Sequence, residues 1–171
     1  MNTNAVTFFK NTDIKTFKND GQLILAVWEI RNPENIGQVI RLAHNVGALK
    51  VIFINKKKTF RNSRIEKTAG FSFHQMDWEY TTKQEFLELV HSDFKLVVLE
   101  TCSGAESIFE IKLPLKAIII AGSESHGLPE EIIKLSELKV FIPMPGGCKS
   151  MNVSHALSVA SFEWYRQISG N

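Results

Sequence analysis

The chain has 171 residues, 44% hydrophobic and 22% charged, the balance of a soluble globular domain. That balance excludes a disordered chain, a collagen and a disulfide scaffold. A net charge of +2 excludes wholesale coating of a nucleic acid or a membrane, so any polyanion contact must come from a local patch.

In chain order, residues 1–20 are polar, lack the apolar stretch of a secretory signal, and are too few for a second domain. They are expected as a short N-terminal arm. Leu23 to Trp28 is a continuous apolar run, the pattern of a strand buried on both faces in a parallel sheet. Asn35 is expected to cap a helix over Ile36 to Val46, with Ile36, Val39, Ile40 and Ala43 on one face and Gly47 just past its end. Val51 to Ile54 is the second strand. Lys56, Lys57, Lys58, Arg61, Arg64 and Lys67 follow, six cations in twelve residues against one acid, Glu66. A charge run is ordinarily a solvated face. Its confinement to one loop of a nearly neutral chain points instead to an RNA backbone.

Thr59 to Tyr80 is assigned to no element. Thr82 to Ser92 is a helix, with Thr82 and Glu85 at the spacing of a capping box. Leu96 to Leu99, Ala117 to Ala121 and Val140 to Ile142 are further strands. Pro129 to Leu135 is a short helix opened by proline. Asn152 to Ile168 is the longest helix, with Val153, Ala156, Leu157, Ala160, Trp164 and Ile168 as its apolar stripe. This alternation predicts an α/β fold, a mainly parallel sheet with helices on both faces, in a single domain over residues 1–171. The longest apolar runs are too short to span a bilayer. Cys102 and Cys148 stand 46 residues apart without a C-x-x-C pair, so they read as free thiols of a reducing compartment. The expected location is the cytoplasm, with no membrane partner.

Several standard sites fail. No G-x-G-x-x-G follows a strand, and Cys148 interrupts the Gly-Lys step of what resembles a Walker A tail, Gly147 to Ser150. Ser125 lacks the glycine two residues before it that a hydrolase elbow needs. His44, His74, His91, His126 and His155 show no metal-ligand spacing, so no metal is expected. Three segments remain. Asn32 to Arg41 joins a strand end to a helix, where ligands of open α/β sheets collect. Ala121 to Pro129 is a glycine-bounded loop carrying Glu124. Ile142 to Ser154 holds two prolines, two glycines and a Ser-x-Asn before the last helix, in which Ser150 or Asn152 has the character of a cap. This connection is long for a bare link and suits a binding loop.

Together these segments resemble the SpoU (TrmH-like) branch of the SPOUT RNA methyltransferases. That family shows N-x-G-x-x-x-R, here Asn35 to Arg41, then G-x-E-x-x-G, here Gly122 to Gly127. It then shows I-P-M followed by S-[LM]-N-V-S, here Ile142 to Met144 and Ser150 to Ser154. The resemblance covers about Leu23 to Gln167. It implies ribose 2′-O-methylation of RNA with S-adenosylmethionine, a C-terminal trefoil knot and a homodimer, for which Trp164 and Tyr165 are candidate contacts. It matches Arg41, Asn35, Glu124, Ser150 and Asn152 to catalytic positions. It matches Leu99, Glu100, Thr101, Gly122, Ile142, Met144, Ser150 and Met151 to the cofactor pocket. The absence of a sizeable RNA-binding extension favours tRNA over rRNA as substrate. The alternatives are a non-catalytic RNA-binding protein of this fold and an enzyme of the fold that methylates a base.

Overall fold

The computed structural model describes residues 4–14, 21–55, 60–90, 92–123 and 126–169. In chain order these form α1 (Ala5–Lys10), β1 (Gln22–Trp28), α2 (Pro33–Val46), β2 (Lys50–Ile54), α3 (Asn62–Ala69), α4 (Ser72–Gln75) and β3 (Trp78–Thr81). Then come α5 (Lys83–Val90), β4 (Lys95–Leu99), β5 (Glu106–Ser107), β6 (Lys116–Ala121), α6 (Glu130–Leu135), β7 (Leu138–Phe141) and α7 (Val153–Ser169). The strands pair in the order β3-β2-β1-β6-β4-β7-β5, and every pairing is parallel. All carboxyl ends of the strands therefore lie along one edge of the sheet.

Alternate residues of the central strands feed two cores. Leu23, Leu25 and Val27 of β1 join α2, α3 and α7 on one face, with Trp164 among the largest fully buried side chains there. Ile24, Ala26 and Trp28 join Phe86 of α5 and Ile132 of α6 on the other. A strand buried on both faces has no polar alternation, which is why the apolar runs identified the sheet so directly.

The predicted α/β class, the parallel sheet and helices on both faces stand. The details differ at five places. The cap of α2 is Asn32, whose Oδ1 accepts from the Glu34 backbone N–H at 2.8 Å. Pro33 takes the first helical position, where its fixed φ and missing N–H carry no penalty. Asn35 is thus a buried first-turn residue and not the cap. Gly47 ends the helix in the left-handed region at φ 74. The unassigned stretch after residue 59 contains α3, α4 and β3, and the arm contains α1, capped by Asn4. The last long strand runs from Leu138 to Phe141, so Ile142 lies just past it, and the short β5 pairs beside it. The capping box forms: Thr82 N–H donates to Glu85 Oε2 at 2.7 Å, and Glu85 N–H to Thr82 Oγ1 at 3.3 Å.

Candidate active site

The ends of β4, β6 and β7 open into a cavity of about 240 Å3. Leu99, Glu100 and Thr101 enter from β4, Gly122 from β6, and Ile142, Met144, Ser150 and Met151 from the connection between β7 and α7. All eight side chains or backbones expected at a cofactor pocket therefore line one cavity. Ala121, Ser123, Gly127, Lys149, Val153 and Ala156 line it as well.

Glycine is required at both ends of the β6–α6 loop. A Cβ on Gly122 would lie 2.2 Å from the Gly127 carbonyl carbon, so the two backbones touch. Gly127 itself has φ 62, and a Cβ there would stand 2.7 Å from Glu100 Oε2. The Gly127 N–H closes the turn on the Ser123 carbonyl at 3.1 Å. Glu100 then holds the loop from the neighbouring strand: Oε2 accepts from Leu128 N–H at 3.1 Å and Oε1 from Thr101 N–H at 3.0 Å. Sequence reasoning placed Glu100 in the pocket but gave no sign of this clamp, because Leu128 lies 28 residues away.

The third segment is tied to the first. Asn152 Nδ2 donates to Asn35 Oδ1 at 3.1 Å, across 117 residues of sequence. Asn152 Oδ1 accepts from Ser154 N–H at 2.8 Å, so Asn152 also caps α7. Ser154 Oγ lies 2.6 Å from Gln38 Oε1 and 2.7 Å from Asn152 Oδ1 and gives its one proton to either. Lys149 Nζ donates to the Met144 carbonyl at 2.7 Å and closes the proline–glycine connection on itself. Cys148 is exposed beside it, and hydrogen bonding at Ser150, backbone first and hydroxyl second, holds its thiol below the ordinary range. Both cysteines are free.

Asn35, Arg41 and Asn152 do not line the cavity. Arg41 is exposed on α2, one turn beyond Gln38. Glu124 lies outside the described residues, as do Lys56, Lys57 and Lys58 of the basic run. Arg61, Arg64 and Lys67 are exposed and recur every three residues, so they rise along one side of the start and length of α3. Among the described residues no group of His, Cys, Asp and Glu is arranged to hold a metal ion, and no helix is long and apolar enough to cross a membrane.

The cavity suits an adenosyl ligand. Its wall is largely aliphatic, with Leu99, Ile142 and Val153. Ser123 Oγ is buried in it without a hydrogen-bond partner among the described residues, so a polar ligand group has a ready position.

A family profile described as the SpoU rRNA Methylase family matches residues 22–162. The chain is 28% identical over 168 residues to the 23S rRNA (guanosine-2'-O-)-methyltransferase RlmB of Xylella fastidiosa, covering 95% of this chain and 67% of that protein. It is 27% identical over 155 residues to the tRNA (cytidine(34)-2'-O)-methyltransferase of Yersinia pestis, covering 85% and 94%. A solved structure described as giving structural insights into the 2-OH methylation of C/U34 on tRNA superposes with a TM-score of 0.79 at 26% identity, covering 90% of this chain and all of that one.

Proposed function

The chain belongs to the SpoU rRNA methylase family, and on that premise we propose that it transfers a methyl group from S-adenosylmethionine to a ribose 2′-hydroxyl of tRNA. The observation that carries the reading is the meeting of the β4 end, the G-x-E-x-x-G loop and the I-P-M…S-M-N segment around one cavity at the carboxyl edge of the sheet. The tRNA assignment is supported by relatives of nearly the same length as this chain, which are named for tRNA position 34. The reading takes residues 1–171 as one methyltransferase domain. It includes the trefoil knot of the family, and the crossover from β6 past β4 to β7 is compatible with it.

When bound, S-adenosylmethionine supplies an electrophilic methyl group; the protein supplies orientation and charge. Leu99, Ile142, Met144 and Met151 form the apolar wall for it, and Ser123 and the turn from Gly122 to Gly127 its polar edge. Ser150 and Asn152 hold the pocket and the ribose by hydrogen bonds, and Glu124 orients Arg41 or its loop. Arg41 grips an RNA phosphate through two N–H groups and stabilises the negative charge that grows on the 2′-oxygen. It is not the proton acceptor, because a guanidinium does not deprotonate under ordinary conditions. Water or a substrate phosphate oxygen takes that proton. The reading includes the family's homodimer, with one copy's Arg41 facing the other's cavity; the position of Arg41 outside the cavity of its own chain supports it. Trp164, expected beside Tyr165 as a contact, is instead fully buried in the core of its own chain, so Phe162, 48% exposed on α7, and the adjacent Tyr165 are the contact candidates.

The test is incubation with labelled S-adenosylmethionine and unmodified tRNA or rRNA in separate tubes, followed by nucleoside analysis. Label on a 2′-O-methylnucleoside of tRNA is expected, and Arg41→Lys should lower the rate on the order of a hundredfold. Label on a base would sink the ribose reading. Near-normal methylation by Arg41→Lys would remove the two-pronged grip.

A further inference from the structure

The side of α2 that carries Arg41 also carries an aromatic pair to which the proposed reaction gives no role. Gly37, Arg41 and His44 follow at spacings of four and three residues, so they share one side of the helix. Gly37 abuts the α3 backbone at Ile65 and Ala69. His44 meets the start of α4: its Nδ1 lies 3.0 Å from Ser72 Oγ, and its ring stacks on Phe71, with centroids 5.8 Å apart and planes at 29°. Arg41 stands between these two contacts and is exposed.

Phe71 is 75% exposed, the most of any large apolar side chain among the described residues. An exposed phenylalanine alone is ordinary. This one is held in place. Gly70 turns the chain between α3 and α4 at φ 59, where a Cβ would meet nothing within 4 Å, so the glycine serves the turn and not the space. The turn sets Phe71 on His44, and Ser72 orients the imidazole beneath it. One face of the phenyl ring is thus backed by a fixed imidazole, and the other is open to solvent. That open face leaves apolar area in water, which gives folding nothing. The surroundings are cationic: Arg61, Arg64 and Lys67 are exposed, and Lys67 stands four residues before Phe71. Glu66, the one acid of the run, is bonded to His74 Nε2 at 3.1 Å.

We propose that Phe71, backed by His44, is a stacking platform for one unpaired base of the RNA, beside the phosphate that Arg41 grips. The proposal rests on the RNA-methyltransferase reading above. Residues three apart on a helix set their Cβ atoms about 5–6 Å from each other, so a phosphate on Arg41 and a base over His44 belong to one nucleotide or to two neighbours. Every base has a π face, so the platform accepts any of the four. A second protein chain seated there would have to desolvate the cations around the ring, whereas an RNA backbone neutralises them. Aromatic rings beside cations are the usual means of holding an unstacked base.

The test uses the full chain and a short single-stranded oligouridylate carrying one 2-aminopurine, whose fluorescence falls when the base is stacked. Wild-type protein should quench it saturably. Phe71→Ala and Phe71→Leu should each remove the quench and weaken binding about tenfold, and Phe71→Tyr should restore both, because a leucine keeps apolar bulk but has no π face. The loss should be a uniform offset, with the slope of log affinity against log salt unchanged, since no cation is removed. In tRNA methylation Phe71→Ala should raise KM about tenfold without lowering kcat or Tm. A wild-type protein that leaves the fluorescence unchanged would overturn the proposal. So would Phe71→Leu at wild-type affinity. A Phe71→Ala protein that runs as a monomer where the wild type runs as a dimer would overturn it too, by making the ring a subunit contact. If no RNA is methylated at all, the function reading fails, while the quench still decides the platform.

Discussion

Gly37 shows how a residue can be legible without its reason being so. It is the glycine of the N-x-G-x-x-x-R spacing, and a Cβ there would stand 2.6 Å from the Ile65 carbonyl oxygen, 2.7 Å from Thr68 Cβ and 2.9 Å from the Ala69 nitrogen. Two of those neighbours are backbone atoms of α3, which cannot step aside as a flexible side chain would. Gly37→Ala should therefore destabilise the fold by about 1–3 kcal/mol, read as a lower urea midpoint at unchanged m. The spacing picked out the residue, but α3 lies in a charged stretch with only Ile65 and Ala69 at helical spacing, so its close approach was invisible. Asn35 shows the opposite case. The residue was identified, yet its capping role was mistaken, because Pro33 fixes the helix start two residues earlier. Its side chain meets Asn152, a contact that no local pattern encodes.

At the scale of elements, α7 was the most readable helix, since its stripe repeats at helical spacing into the core. Its polar docking seam was not readable. Glu163, 7% exposed, accepts from Arg166 Nε and Nη2, both at 2.8 Å, and from Gln167 Nε2 at 2.7 Å. Gln167 in turn accepts from Leu113 N–H at 2.8 Å and donates to the Ile111 carbonyl at 3.0 Å, fastening the end of α7 to the segment before β6. That segment has no repeating pattern, so nothing in the sequence marks it as a partner. The Arg166 hydrogen bonds hold the Glu163 carboxyl below the ordinary carboxylate value of 4.5. A depressed folded value gives stability that is present above about 4.5 and lost as pH falls through the folded value. Glu163→Gln should lower Tm at pH 7 by about 2–4 °C, and the gap to wild type should narrow as pH falls below about 4.5. A gap that does not narrow on acidification would assign the effect to packing instead of charge.

Across the whole molecule, the sheet was legible as a parallel array, but its strand order was not. The neighbours of β1 are β2 and β6, and the second of these is separated from it by about half of the chain. Continuous apolar runs say that a strand is buried, not beside which other strand it lies. The same scale governs RNA binding, where charge acts collectively. Replacing Arg61, Arg64 and Lys67 together by alanine should weaken binding to many RNAs alike and make the slope of log affinity against log salt shallower by roughly 2 to 3. An unchanged slope would return that side of α3 to plain solvation. The Asn35–Asn152 bond also has a meaning in time. The two asparagines leave the ribosome 117 residues apart, which at roughly 5–20 residues per second separates their emergence by about 6–23 s. For about half of that interval β1 and β2 exist without β6, so one flank of the growing sheet is open, and throughout it α2 waits for α7. The nascent chain is thus at its most vulnerable to edge-to-edge misassociation before its own active site can exist, and a product truncated before α7 would be inactive and sticky.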